Sequence, residues 1–302
     1  MISEMTDTQY LIAFSDARTA FSDSCIRKAS ELGRMYCERA GNTYRGFICT
    51  EIDGQRECVL YAYTKPQYRR SGIFSSLVSH IVRTAERDVL VSVPERHPFF
   101  AAVDAVCERL GFASTESIHT FNFDSSQKQA WQRVKDTQRF DACCSLLQRT
   151  GCEAVSFADA DEDILRQVRE SHTSSFQNPL DPSGFFRGAT KKLSMDLSCA
   201  AVKDGKLLAY SLLTQQDHNS VVFEQMASSA DGRGFGAVLL PFVYSVDRFF
   251  ERGYHRWAFA IYPSNTESNR IRKTLEKEVH FDERVTRCYR RERGGDAGPL
   301  FG

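Results

Sequence analysis

The sequence predicts an α+β fold made of two tandem units, each a mixed, mostly antiparallel sheet flanked by helices. Three observations carry this. The chain has 302 residues, 42% of them hydrophobic, which is enough apolar material for two cores. The same order of elements (hairpin, strand, glycine turn, helix, strand, helix, strand) is read once in each half. In each half the glycine turn joins a strand to a strongly amphipathic helix.

In the first half, 17–38 reads as helix. Arg45 to Ile52 and Glu57 to Thr64 read as a hairpin over Asp53-Gly54. From Ser71 to Glu86, apolar Ile73, Phe74, Leu77, Val78, Ile81 and Val82 make one helical stripe. Asp88 to Val93 follows as a buried strand, Phe99 to Leu110 as a helix stopped by Gly111, and Ile118 to Phe123 as the strand that closes the copy. In the second half, Glu153 to Phe157 is a strand and Asp159 to His172 a helix. Cys199 to Lys203 and Leu207 to Thr214 form a hairpin over Asp204-Gly205, and Ser220 to Ala227 is the next strand. A helix is expected from Gly234, then a strand from Tyr254 to Ile261, a helix from Asn269 to Lys277, and a closing strand from Val285 to Tyr289. Units are therefore expected at 1–124 and 151–291. The stretch 125–150 between them reads as a helical linker packed across both halves, and 292–302 as a disordered Gly-rich tail.

Lys plus Arg equals Asp plus Glu, at 39 each. That balance argues against non-specific nucleic-acid or membrane attraction. No apolar run nears the ~20 residues that span a bilayer, and the start, MISEMTDTQY, is polar and unlike a secretory signal. A cytosolic location is the expectation. The ten cysteines show no CxxC spacing, so they read as reduced thiols, and no metal site is expected.

The segment from Thr64 to Leu77, TKPQYRRSGIFSSL, carries the chemistry. A strand ends, a turn follows, and a helix starts at Gly72. The start of a helix leaves backbone N–H groups unpaired and carries partial positive charge, so it binds phosphate. Arg69 and Arg70 add cations, Ser71 offers a hydroxyl or a cap, and Gly72 permits close approach. A diphosphate is the natural occupant.

Pro66, Tyr68, Arg69, Gly72 and Ile73, with Gly111-Phe112 downstream, resemble the GCN5-related N-acetyltransferase (GNAT) family. Phe74 stands where that family has Gly or Ala. Cys107 replaces the tyrosine that often protonates the departing thiolate. The second half has Gly234-x-Gly236 after Ser228, with Asp231 where Arg or Gln is usual, and Asn269 at the position of a pantetheine contact. Phe281 matches the closing Phe, while Glu276 and His280 replace the family's tyrosine and last glycine.

This resemblance implies an acyl-CoA-dependent N-acyltransferase that acts on a small-molecule amine by direct attack, with acetyl-CoA or another acyl-CoA as co-substrate. It carries binding roles onto Arg69, Arg70, Ser71, Gly72, Ile73 and Phe74 in the first half. In the second half it carries them onto Ala227, Ser228, Gly232, Arg233, Gly234, Phe235, Gly236, Ala237 and Asn269. Glu224, on the strand before the second loop, is the expected proton acceptor, with Glu57 and Tyr61 as counterparts in the first half. Cys107 reads as a packed thiol, and His97, His172 and His255 as structural or surface side chains.

Two alternatives stay open. Gly205–Leu213, Ala227–Ser229 and Phe249–Tyr254 loosely resemble Fem-like aminoacyl-tRNA-dependent transferases. The missing tyrosines also allow a non-catalytic CoA-binding module.

Overall fold

The computed structural model describes residues 2–5, 33–41, 43–53, 56–175, 192–229, 232 and 236–293. The chain divides into two units: Met1–Ser117 with Val285–Gly302, and Ile118–Arg284. No helix among the described residues is long and apolar enough to cross a membrane.

The first unit is built on the antiparallel strands β1 (Ile2–Glu4), β2 (Gly33–Ala40), β3 (Thr43–Asp53) and β4 (Arg56–Thr64). Residues 33–38, expected as the end of a helix, are strand. The period of two in β2 explains it: Tyr36 packs into one apolar cluster while Met35 and Cys37 pack into another. The rest of that expected helix, 17–32, lies outside the described residues.

From β4 the chain passes through a short 3-10 turn, Pro66–Tyr68, into α1 (Ile73–Thr84). It continues through β5 (Asp88–Pro94), α2 (Phe100–Arg109) and β6 (Ala113–Ser114). Ile73, Leu77, Val78 and Ile81 of α1 are buried against Val89, Val91 and Val93 of β5 and Ile48 of β3. These are the stripe residues that the spacing of the sequence picks out.

The second unit begins with β7 (Ile118–Asp124), α3 (Lys128–Lys135), α4 (Gln138–Arg149), β8 (Glu153–Ser156) and α5 (Glu162–Ser175). Then come β9 (Lys192–Leu193), β10 (Cys199–Lys203), β11 (Lys206–Gln215), β12 (Ser220–Ser228), α6 (Leu239–Glu251), β13 (Arg256–Ile261) and α7 (Thr266–Leu275). Asp204 and Gly205, at φ 49° and 73°, make the tight turn between β10 and β11. Helix α6 starts at Leu239 rather than at Gly234.

The helical stretch expected to bridge both halves belongs to the second unit. There Trp131 of α3 meets Phe242 of α6 edge-on at 5.7 Å, and its Nε1–H donates to Asp247 at 2.7 Å.

The two closing strands are exchanged relative to the sequence reading. β7, expected to close the first copy, pairs antiparallel with β13 over six positions, Arg256↔Asp124 to Ile261↔His119. β14 (Asp282–Arg291), expected to close the second copy, pairs with β5 from Thr286↔Pro94 to Arg291↔Val89 and with β6. A closing strand's own sequence does not record which neighbouring strand it will pair with, because pairing is a property of two strands. Tyr289 of β14 lies in the α1–β5 cluster and donates to Asp104 of α2 at 2.5 Å.

Replacing Tyr289 by Ala is therefore expected to cost about 3 kcal/mol. Hydrogen exchange should show lost protection in β5 and α2, with β10 to β12 unaffected. Equal loss in both sets would contradict the exchange.

Candidate functional site

Each unit contains a fork between two parallel strands. β4 pairs with β5 from Arg56↔Asp88 to Val59↔Val91, and the pairing stops there although both strands continue. β12 pairs with β13 from Ser220↔Arg256 to Phe223↔Phe259 and stops in the same way. Both forks open at a β-bulge. On β4 the register with β3 jumps from Tyr61 to Val59, which leaves Leu60 as the extra residue. On β12 the register with β11 jumps from Gln225 to Phe223, which leaves Glu224 as the extra residue. Both strands are nine residues long, and the bulge is the fifth position of each. A bulge re-aims side chains and ends regular pairing, so the backbone beyond it is no longer used by the neighbouring strand.

The first loop lies beyond the first fork. Arg70 and Gly72 both have left-handed backbones, at φ 65° and 80°. A left-handed arginine is strained by roughly 1 kcal/mol. Ser71 donates from N and Oγ to the Tyr68 carbonyl, at 3.4 and 2.5 Å, which holds the turn closed. Among the described residues, no bond uses the N–H groups of Gly72, Ile73, Phe74 or Ser75.

A methyl group built on Gly72 would meet nothing within 4 Å, so the space in front of the loop is open. Ile73 is buried and Phe74 packs against the core, so only their amides face a ligand role. The Arg69 guanidinium lies 5.3 Å from the Phe99 ring centre, as a cation over a half-exposed aromatic. Arg109, from the last turn of α2, donates to Ser75 Oγ at 2.6 Å and brings a cation to the first turn of α1. The sequence reading gave Arg109 no role. It stands two residues before Gly111-Phe112, inside the segment quoted for the resemblance.

The second loop is built differently. Ser229 donates from N to the Leu208 carbonyl at 2.8 Å and from Oγ to the Leu207 carbonyl at 2.6 Å. The Gly232 amide is taken by Ser229, at 3.2 Å to both O and Oγ. A Cβ on Gly232 would sit 1.8 Å from Leu208 O, so contact with β11 is what requires glycine there. This corrects the expected role of the Gly232 amide.

Ala227 and Ser228 are the last residues of β12, opposite Tyr210 and Ala209. Ala237 is fully buried among Leu147, Ala209 and Leu240, and Gly236 has φ 66° with open space around it. Arg233, Gly234 and Phe235 lie outside the described residues.

Glu224 is half-buried at the fork, where Thr214 Oγ1 donates to its Oε1 at 2.5 Å. Glu57 is not its counterpart. Its carboxylate is 5% exposed, at the opposite end of β4, and accepts from Thr50 Oγ1 at 2.7 Å. Tyr61 follows the bulge and, like Leu60 and Tyr63, packs against the cluster of Met35, Cys37 and Phe47. The residue at the bulge of the first unit is Leu60, which cannot take a proton. Asn269 holds its own loop together. Its Nδ2 donates to the carbonyls of Tyr262, Pro263 and Asn265 at 2.9–3.3 Å, which leaves Oδ1, within 3.4 Å of Arg272 Nε, as its outward group.

Cys107 is fully buried, and burial pushes its thiol up to about 12, as for a packed side chain. His97 Nδ1 accepts from the Phe99 amide, His255 Nδ1 meets Ser125 Oγ at 3.3 Å, and His172 is buried against Tyr210.

No known protein family's sequence model matches the chain, and no curated protein matches it. Solved structures do. A tandem GNAT protein from the clavulanic acid biosynthesis pathway superposes at TM-score 0.68, with 15% identity, covering 98% of this chain and 99% of that one. A GCN5-related N-acetyltransferase from Sphaerobacter thermophilus gives 0.63 at 14% identity, covering 99% and 97%. A GNAT-family acetyltransferase from Colwellia psychrerythraea gives 0.60 at 12%, covering 96% and 100%. At these identities the likeness establishes the fold, which is the tandem GNAT fold.

Gly72→Ala is expected to keep the fold at a cost of about 1 kcal/mol, because the left-handed backbone tolerates alanine poorly. It should weaken the affinity for CoA about tenfold, read as a smaller ligand-induced rise in Tm. An unchanged rise would show that this loop does not hold the diphosphate.

Proposed function

We propose that this tandem GNAT fold transfers an acyl group from an acyl-CoA, most simply acetyl-CoA, to the nitrogen of a small-molecule amine. The observation that carries the reading is the fork of the second unit: a carboxylate, Glu224, stands at the bulge where the strands part. In the first unit, the amides of Gly72 to Ser75, the left-handed turn before them, and the cations of Arg69, Arg70 and Arg109 suit the diphosphate of the same co-substrate. The bound acyl-CoA supplies a thioester carbonyl and a thiolate leaving group.

The chain's own work is then modest. Glu224 takes a proton from the attacking amine, so that its lone pair is free. Backbone N–H groups released from pairing at the fork stabilise negative charge on the carbonyl oxygen, where water would otherwise have to reorganise. The new N–C bond forms as the C–S bond breaks, and no side chain needs to form a covalent bond.

With Leu60 at its bulge, the first unit lacks a proton acceptor there. We read it as a half that binds the diphosphate without turning over. Zero net charge weighs against a tRNA donor.

Glu224→Gln is expected to lower CoA thiol release, measured with acetyl-CoA over an amine panel, about a hundredfold. Binding of CoA should be unaffected. Turnover at the wild-type rate in this variant would move the chemistry out of the second fork. Native mass spectrometry of the purified chain should find a CoA ester bound. A shift in Tm with charged tRNA and none with CoA would favour the Fem-like alternative.

A further inference from the structure

We propose that Thr214 is the positioning residue of the Glu224 carboxylate: its buried hydroxyl fixes the orientation of that group. The proposal rests on the reading of Glu224 as proton acceptor. Thr214 is 1% exposed, on β11 opposite Val222 of β12, and its Oγ1 donates to Glu224 Oε1 at 2.5 Å.

The bulge brings the two together. Val221 and Phe223 pack into the cluster of α6, while Glu224, the extra residue, meets Thr214, whose partner across the strands is Val222. The Thr214 face of β11 carries Tyr210, Leu212 and Thr214 in period two, with Tyr210 and Leu212 packed in the α5 cluster. A β-branched residue buried in a strand has little rotamer freedom, so its hydroxyl is pre-aimed. A donor to the charged form of a carboxyl favours that form, and a fixed hydrogen bond also limits the rotamers a strand Glu otherwise samples.

Other titratable groups also lie around this face. Tyr210, on β11 itself, is raised above the ordinary phenol range by burial. His172, on α5 and in contact with it, is lowered by burial. Both are therefore neutral near pH 7. Glu224 is the one charged residue of β12, and β13 offers Arg256 only, opposite Ser220 at the far end of the pairing. The first unit lacks the pair altogether, since Leu60 stands at its bulge. Thr50 there serves Glu57 instead.

The test needs no knowledge of the amine. In the full chain labelled with carboxyl-13C glutamate, the signal absent from Glu224→Gln is assigned to Glu224 and titrated by NMR. Thr214→Val keeps the shape and removes the donor. It is expected to raise the titration midpoint by about one pH unit, a tenfold loss of the ionised form below it. Thr214→Ser is expected to restore the wild-type midpoint. Thr214→Cys, a weaker donor, should lie between and serves if the valine variant fails to fold.

Thiol release with acetyl-CoA should follow, with the acidic limb of the kcat profile moved up by the same amount and KM for the amine unchanged. A midpoint that stays at the wild-type value in both Val and Cys variants overturns the proposal. A raised midpoint combined with full turnover in Glu224→Gln overturns instead the reading of Glu224 as the proton acceptor, while the Thr214–Glu224 couple stands.

Discussion

Everything that makes a site in this chain follows from an interruption of parallel β-pairing. Two strands with apolar faces and free backbone groups would normally pair along their whole length, because each buried N–H and C=O needs a partner. Here the pairing of β4 with β5 and of β12 with β13 ends after the same number of positions. The cause is one extra residue on the upstream strand, which turns its backbone away from its neighbour. The gap that results follows the bulge on each upstream strand. In the first unit it lies at the strand end from which the chain turns into α1, so the unused amides of Gly72 to Ser75 follow closely in sequence.

The two forks share this geometry and differ in chemistry. The first has the better anion loop: two left-handed residues, four unused amides and an arginine drawn in by Ser75. Its bulge is occupied by leucine. The second has a carboxylate at the bulge with a hydroxyl to hold it, and its loop spends the Ser229 amide on attachment to β11 and the Gly232 amide on Ser229. Neither half combines the full set among the described residues.

Much of this was legible in the sequence, since it depends on local physics. The stripe Ile73, Leu77, Val78, Ile81 can bury itself only as a helix. Asp204-Gly205 suits a left-handed turn that few other pairs adopt, and TKPQYRRSG ends a strand and starts a helix with cations beside it. The repeat of the whole pattern, and with it the tandem architecture, follows from such signals. Glu224 stood out as an acid on the right strand.

What the sequence alone determined, then, is the elements, their doubling, and the residue types offered at each loop. Tertiary structure alone decided the rest. β7 and β14 exchange places because a closing strand's own sequence does not record which neighbour it will pair with. Gly232 looked like a phosphate glycine and is a packing glycine, because only the approach of Leu208 O reveals the crowding. Glu57 and Glu224 both follow a hairpin, yet Glu224 is the extra residue of its bulge while Glu57 lies three positions before the equivalent residue, Leu60. Which side chain faces the gap is set by hydrogen-bond register between strands, and register belongs to pairs of strands rather than to either one.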